Sequence, residues 1–315
     1  MKPNLIIFNP TAGRGRVKAQ WPHVEKALRD AGFAFEAAAT TAPLDAQKMA
    51  LKAADQYQAI IAVGGDGTIH EVVNGLLQAS GEEETTTLGI IPLGNGDDFA
   101  KVVPPEAPVG GKPFGWQTAV QQIARGQSRL FDVGKMTGDN LRPDLTPGAH
   151  YFMNGMDVGF GALGARNFTT IPRFIKGKAA YVAAVLKTMI DYPTINLSLQ
   201  IDDQPAFEQS TTMTAITNGR CFANGFWVCP QAQADDGLFD LMIADSVSRR
   251  TILGLIPKIM QGTHTAEPVI KMKKARRVVL DSVEPLVVEA DGEIPYLETH
   301  HIELEILPKK LRLLV

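Results

Sequence analysis

Three short segments set acidic side chains beside glycine, and acids in such loops suit proton transfer or the holding of a divalent cation. Gly64-Gly65-Asp66-Gly67-Thr68 wraps one carboxylate in three glycines. Pro92-Leu93-Gly94-Asn95-Gly96-Asp97-Asp98-Phe99-Ala100 contains an acidic pair, and Asp291-Gly292-Glu293 sets an acid on either side of a glycine. In the first, three glycines point to something coming very close to the backbone. Thr68 and Glu71 stand at the spacing of a capping box, which starts a helix whose N-terminal amides face the glycines. Such amides, with the helix dipole, favour anionic oxygens. Asp66 repels those oxygens unless a cation lies between, so the loop points to a metal-nucleotide complex. If the three loops converge, they hold Mg²⁺ on a nucleotide and leave one carboxylate to take a proton from an attacking hydroxyl. Phosphoryl transfer asks little more of a protein.

The elements that must position these loops alternate in the first third of the chain. Strand-like Leu5 to Phe8, Phe33 to Ala39, Ala59 to Val63 and Leu88 to Ile91 are separated by helix-like Val17 to Ala31, Asp45 to Ala54 and the helix after Thr68. That order predicts a mostly parallel sheet with ligand loops at the carboxyl ends of its strands. Pro and Gly accumulate from Pro104-Pro105 to Pro113, and Trp116 to Arg125 then reads as one more helix. Beyond Arg129 the period becomes two: Phe131 to Met136, Tyr151 to Val158, Ile195 to Ile201, Thr211 to Thr217, Phe239 to Ala244, Arg277 to Leu280 and Leu286 to Ala290. Asp202-Asp203-Gln204-Pro205 is a hairpin turn between two of them. Lys178 to Ile190 and Arg249 to Met260 interrupt as helices, the second opened by Ser248 as N-cap, and Ile302 to Leu307 and Leu311 to Val315 close the chain as strands.

Composition bounds the class. With 315 residues, 45% apolar, 21% charged and a net charge of −3, the chain reads as a soluble two-domain protein with no call for nucleic acid. Cys221 and Cys229 form no CxxC pair and read as small core residues, which fits a reducing compartment. No stretch reaches the roughly 20 apolar residues of a membrane span, so a cytoplasmic location is expected. The scattered His23, His70, His150 and His264 and the His300-His301 pair form no recognisable metal pattern.

Asn9-Pro10 with Gly13 and Gly15, then Gly64 to Thr68, then Pro92-Leu93-Gly94 running into Asp98-Phe99-Ala100, resemble the successive motifs of the diacylglycerol kinase catalytic domain family. Its soluble bacterial lipid kinases, some of them sphingosine-kinase-like, are the members most similar. Asp235-Asp236-Gly237-Leu238-Phe239-Asp240 and Asp291-Gly292-Glu293 match two later motifs in order, so the resemblance spans the chain. It implies ATP and Mg²⁺ as cofactors and a lipid hydroxyl as acceptor. Asn9, Gly13, Thr40, Gly64, Gly65, Asp66, Gly67, Thr68, Ile69, His70 and Asn95 would line the nucleotide site. Asp66 and Asp98 would join a water-mediated Mg²⁺ network, and Asp291 or Glu293 would be the general base. Gln233 and Leu238, through their carbonyls, and Asp236, through its carboxylate, would hold a structural metal. Asn95 and Asp97 stand where the family usually has Thr or Ser and Asn; the extra charge at Asp97 would either tighten metal binding or repel phosphate.

The expected fold is therefore α/β + β. A Rossmann-like nucleotide-binding domain covers 1–128, an antiparallel β-sandwich covers 129–298, and strands in 299–315 are free to return to the first domain. The expected function is an ATP-dependent lipid kinase acting on a diacylglycerol-like hydroxyl. A NAD kinase shares the Gly-Gly-Asp-Gly loop but not the Asp98-Phe99-Ala100 and Asp291-Gly292-Glu293 motifs; a non-catalytic nucleotide or lipid sensor would be expected to have lost some of the four acids. Between Leu163 and Ile190, Phe168, Ile171, Phe174, Ile175, Tyr181, Val182, Val185 and Leu186 are interleaved with Arg166, Arg173, Lys176, Lys178 and Lys187. That mixture suits transient peripheral contact with an anionic membrane, with Phe168 to Lys176 as the better candidate and Lys178 to Ile190 also readable as an amphipathic packing helix. The sequence leaves a homodimer open.

Overall fold

The computed structural model describes residues 2–103, 108–172, 175, 178–192, 194–222 and 225–315. Its first part is a parallel sheet of β1 (Asn4–Phe8), β2 (Glu36–Ala39), β3 (Ala59–Gly64) and β4 (Thr87–Pro92), ordered β2-β1-β3-β4. β3 is buried along its whole length, which is why it reads as an unbroken apolar run. Ile60 and Ala62 pack with Ala46, Ala50 and Val72 of helices α2 (Asp45–Ala53) and α3 (Asp66–Ser80). Ile61 and Val63 face the other way, into Val24 and Leu28 of α1 (Ala12–Asp30).

After α4 (Asp98–Val102) and α5 (Trp116–Arg125) the chain becomes mostly β. β5 (Ser128–Gly138), β6 (His150–Phe152) and β7 (Gly155–Gly159) lead into α6 (Phe160–Thr169) and α7 (Lys178–Asp191). β8 (Ile195–Ile201), β9 (Phe207–Thr217) and β10 (Phe239–Asp245) follow, then α8 (Arg249–Met260), a short 3₁₀ turn and β11 (Ile270–Ala275). β12 (Arg277–Ala290) and β13 (Glu293–Leu314) close the chain as an antiparallel pair. β13 also pairs with β5 and meets β4 through Leu313 and Leu88, so the last strand stitches the β part to the parallel sheet.

The α/β expectation holds at the level of a parallel sheet covered by helices, followed by a mostly β part. The strand order is the flavodoxin-like 2-1-3-4 rather than the 3-2-1-4 of the dinucleotide-binding fold, which corrects the Rossmann-like reading. Tyr151 to Val158 is two strands because the chain turns at Met153-Asn154, while the two apolar runs of β12 and the two of β13 are single strands bent by register shifts. Helices α4 and α6 and strand β11 carried no clear period.

Thr68 and Glu71 do not form a capping box. The N-cap of α3 is Gly65, without a side-chain cap, and Glu71 instead accepts from the amides of Leu44 and Ala46 at 3.1 Å each, capping α2. Ser248 does cap α8, accepting from the Thr251 amide at 3.3 Å.

Candidate active site

The parallel register aligns the ligand loops. Phe8 pairs with Ala39 and Val63, and Gly64 with Pro92, so Thr40, Asn9, Gly64 and Leu93 follow one another along the carboxyl edge of the sheet. Asn9 Oδ1 accepts from the Thr11 amide (3.0 Å) and hydroxyl (2.8 Å), closing its own turn. The Thr40 amide donates to the Phe8 carbonyl at 2.9 Å, holding buried Thr40 at the edge. Gly13 backs onto the Leu93 carbonyl, and Arg16 donates to the Gly94 carbonyl at 2.7 Å.

Glycine is required where the second and third loops cross. A Cβ on Gly65 would lie 2.9 Å from the Gly94 Cα, so the two backbones touch and no side chain fits between them. Past this crossing the Ile69 amide makes an intrahelical bond to the Gly65 carbonyl at 3.1 Å. The amides of Asp66, Gly67 and Thr68 precede that bond, in the first turn of a helix with no side-chain cap, and make the anion-facing end of α3. Two of the expected nucleotide ligands are displaced from this end. Ile69 is fully buried in the core with its amide already engaged, and the buried His70 ring contacts Asp291. Helical rotation explains both, since a residue three or four positions past the cap faces the core side. Thr68 is buried against Gly64, and Asn95 stands exposed on the Gly94 loop.

Three carboxylates gather beside this helix end. Asp66 accepts from the Phe99 amide at 3.3 Å, and burial, then the charges of Asp98 and Asp97, push it up to about 7. Asp98 is paired with Lys101 Nζ at 2.6 Å, both nearly buried. A divalent cation between Asp66 and Asp98 would relieve their repulsion, so these residues fit Mg²⁺. Asp97 is a different matter. With left-handed backbone (φ 51°) it accepts from the Gly94 amide at 2.8 Å, facing its own loop, and Arg16 partly offsets its charge. Its acceptor oxygen serves the turn at Gly94, while burial raises its carboxyl.

The hairpin between β12 and β13 brings in the other two acids, which have opposite surroundings. Asp291, 7% exposed, accepts from the amides of Met153 (2.7 Å), Asn154 (2.9 Å) and Gly155 (3.2 Å), and His70 Nδ1 lies 3.3 Å from its Oδ2. Glu293 is exposed, and among the described residues its carboxylate makes no hydrogen bond or ion pair. Its Oε1 is the nearest atom to a Cβ built on Gly67, at 3.6 Å, which sets it over the first turn of α3.

The set of Gln233, Asp236 and Leu238 lies beside β5, where the Asp132 amide donates to the Ala234 carbonyl and the Asp132 carboxylate accepts from the Gly237 amide. Asp236 Oδ1 accepts from the Leu238 amide at 3.0 Å and Oδ2 pairs with Lys274 Nζ at 2.7 Å. Lys274 already supplies the positive charge there, so this donor set does not fit a metal ion unless Lys274 leaves. Among the described residues no group of three or more His, Cys, Asp or Glu is arranged to hold an ion.

Several neighbours of the site escaped sequence reasoning. His150 and Asn74 complete the surroundings of His70, and the one available signal was that His70 and Asn74 are four apart on one helix. Asp157 and Glu289 face each other across β7 and β12, fully buried. Asp157 caps α6 by accepting from the Ala162 amide at 2.6 Å, and Glu289 accepts from the Gly292 amide of the acidic hairpin. Burial pushes Asp157 up to about 7, and burial with the charge of Asp157 pushes Glu289 well above the usual carboxylate range.

Comparison with known proteins bears on both parts of the chain. Residues 3–136 match the family described as diacylglycerol kinase catalytic domain, and residues 155–315 match the YegS C-terminal NAD kinase beta sandwich-like domain. A diacylglycerol kinase of Bacillus subtilis (strain 168) is 30% identical over 298 residues, covering 93% of this chain and 90% of its own. One from Staphylococcus saprophyticus is 28% identical, covering 91% and 88%. The crystal structure of a diacylglycerol kinase from Bacillus anthracis str. Sterne shares the fold with a TM-score of 0.70 at 23% identity, over 99% of this chain and 96% of that one. Matched in order along both parts and to a relative across nine-tenths of its length, the chain belongs to the diacylglycerol kinase catalytic domain family.

Proposed function

We propose that this protein transfers the γ-phosphate of ATP to the hydroxyl of a diacylglycerol-like lipid, with Glu293 as the general base and Asp291 as the residue that positions it. The observation that carries the reading is the unpaired Glu293 carboxylate over the first turn of α3, two residues from a carboxylate fully occupied by backbone amides. Amides of Asp66, Gly67 and Thr68 receive phosphate oxygens, with Asn9, Gly13, Thr40 and Asn95 on the same edge toward the rest of the nucleotide. Asp66 and Asp98 would hold Mg²⁺, which supplies charge neutralisation on the phosphates when bound. Glu293 accepts the hydroxyl proton as the acceptor oxygen bonds to the γ-phosphorus; the bond to the bridging oxygen breaks and ADP leaves with its electron pair. Asp291 serves this step poorly as a base, because three backbone amides and the His70 ring already occupy both of its oxygens.

In this reading residues 1–128 bind ATP, 129–298 form a sandwich that receives the lipid, and 299–315 return to the first sheet. The protein works in the cytoplasm and meets the bilayer peripherally. No described helix is long and apolar enough to cross a membrane. Phe168, Leu186 and Ile190 are exposed by 49%, 54% and 69%, near the exposed Arg166, and Arg249 donates to the Ile190 carbonyl at 2.9 Å. Exposed apolar residues beside cations suit an anionic interface. Arg173, Phe174 and Lys176 of the expected membrane loop lie outside the described residues. Incubation with labelled ATP, Mg²⁺ and vesicles carrying a panel of lipids tests the reading: label in a lipid phosphate supports it, while label in NAD, or ATP bound without transfer to lipid, overturns it.

A further inference from the structure

The two halves of the proposed site belong to different parts of the fold, the phosphate-facing end to α3 and the base to the β12–β13 hairpin. Something must fix their separation. α3 carries His70 and Asn74 one turn apart, so both project from one face, and that face meets β6 and the hairpin. His70 Nδ1 lies 3.3 Å from Asp291 Oδ2, and His70 Nε2 lies 3.0 Å from His150 Nε2. Asn74 adds three contacts: its Oδ1 accepts from the Tyr151 amide at 3.0 Å, and its Nδ2 donates to the carbonyls of His70 and Tyr151, each at 3.0 Å. All of these side chains are buried.

The hydrogen-bonding capacities of these groups restrict the order of protons. The Asp291 carboxylate only accepts, so His70 Nδ1 carries a hydrogen. Both hydrogens of Asn74 Nδ2 go to carbonyls, and its orientation is fixed by the Tyr151 amide, so it has none to spare for His70 Nε2 at 3.2 Å. Burial, with His70 and Arg142 nearby, keeps His150 well below its usual range and therefore neutral. If His70 carries that one hydrogen alone, His150 donates from Nε2 to His70 Nε2. The resulting chain runs His150 to His70 to Asp291 and ends at the turn that carries Glu293.

We infer that His70 is a positioning residue for phosphoryl transfer, the donor at which α3 grips the Asp291 turn and so sets the distance between the bound phosphate and Glu293, with His150 fixing its tautomer. This rests on the proposed role of Glu293. Asp66 and His70 are four residues apart on the same helix, so a shift of α3 against the hairpin moves the phosphate relative to the base. Positioning errors of about 1 Å cost transfer about 10²-fold without a matching loss of binding.

The test measures transfer from ATP to diacylglycerol in mixed vesicles for the full chain, its His70→Ala and His70→Asn variants, and the imidazole ¹⁵N spectrum of the parent. Expected are a fall in kcat of about 10²-fold for His70→Ala with KM for ATP changed by less than about threefold. His70→Asn, whose amide nitrogen stands where Nδ1 stood, should recover most of that loss. The spectrum should show one imidazole protonated at Nδ1 only and another at Nε2 only, assigned to His70 and His150 by their loss in single substitutions. A folded His70→Ala with near-parental kcat, an Asn variant no better than Ala, or the opposite tautomers would overturn the inference. A parent that phosphorylates no lipid would bring down the kinase reading itself, and the tautomer assignment then decides the proton order by itself.

Discussion

The glycine-loop end of the site and the acidic hairpin opposite it both cluster carboxylates around a turn, yet they solve the problem of buried charge in contrary ways. Beside α3, Asp66 sits against Asp98 and Asp97 with few donors, so its carboxyl is raised to about 7 and gains from a shared cation. At the hairpin, Asp291 is surrounded by amide donors from the break between β6 and β7 and needs no cation. The first arrangement invites a metal and its nucleotide. The second spends one acid on geometry and leaves the next, Glu293, exposed and unpaired. Carboxylates two residues apart can thus differ entirely in role, and what divides them is the distant backbone each one meets.

Substitutions can break this contrast, beginning with the largest effect. Glu293→Gln removes an acid that makes no hydrogen bond or ion pair among the described residues and stands over the α3 end, and is expected to lower kcat by about 10²–10⁴-fold, with ATP affinity measured by calorimetry essentially unchanged. Asp291→Asn turns an acceptor into a group with its own N–H facing backbone donors, an expected loss of about 1–3 kcal/mol in denaturant unfolding. Gly94→Ala drives a Cβ into Gly65 and to 2.6 Å from Asp97 Oδ1, so about 1–3 kcal/mol of stability and a raised KM for ATP are expected.

The Asp157–Glu289 pair sharpens the comparison through pH. Both carboxyls are raised in the folded state, so their contribution to stability is full below their unfolded values near about 4 and is lost as pH rises toward about 7. Glu289→Gln removes one titrating group while keeping an acceptor for the Gly292 amide. Its melting temperature should exceed that of the parent at pH 8 and not at pH 4; the reverse ranking would show that the pair is not raised in the folded state. Asp97→Asn is the mildest change, since Oδ1 still accepts from the Gly94 amide, and a stability shift within about 0.5 kcal/mol is expected.

How far the sequence disclosed this site follows from the same physics. β3 and β4 were legible because strands buried on both faces are apolar throughout, and a close approach to the Gly64 loop because only glycine permits it, though not that the Gly94 loop is one of the segments that come close. Trp116 to Arg125 emerged with its bounds intact, helped by Gly126 at its C-cap. Local pattern misled where a residue's partner lay elsewhere in the chain. Glu71 looked like a cap for its own helix and caps α2. Asp291 and Glu293 were inseparable because the amides that distinguish them come from residues 153–155. His150 gave no signal, since its meaning depends on a helix 80 residues earlier.

The central claim is that the proton passes to Glu293 while Asp291 holds the turn. The pH dependence of kcat for ATP-to-diacylglycerol transfer, compared between Asp291→Asn and Glu293→Gln, tests it most directly. With Mg²⁺ and ATP saturating, so that Asp66 is held by the cation, the account expects the acidic limb of the profile to survive in Asp291→Asn at a lowered plateau and to vanish in Glu293→Gln. A profile that keeps its acidic limb in Glu293→Gln and loses it in Asp291→Asn would contradict the assignment.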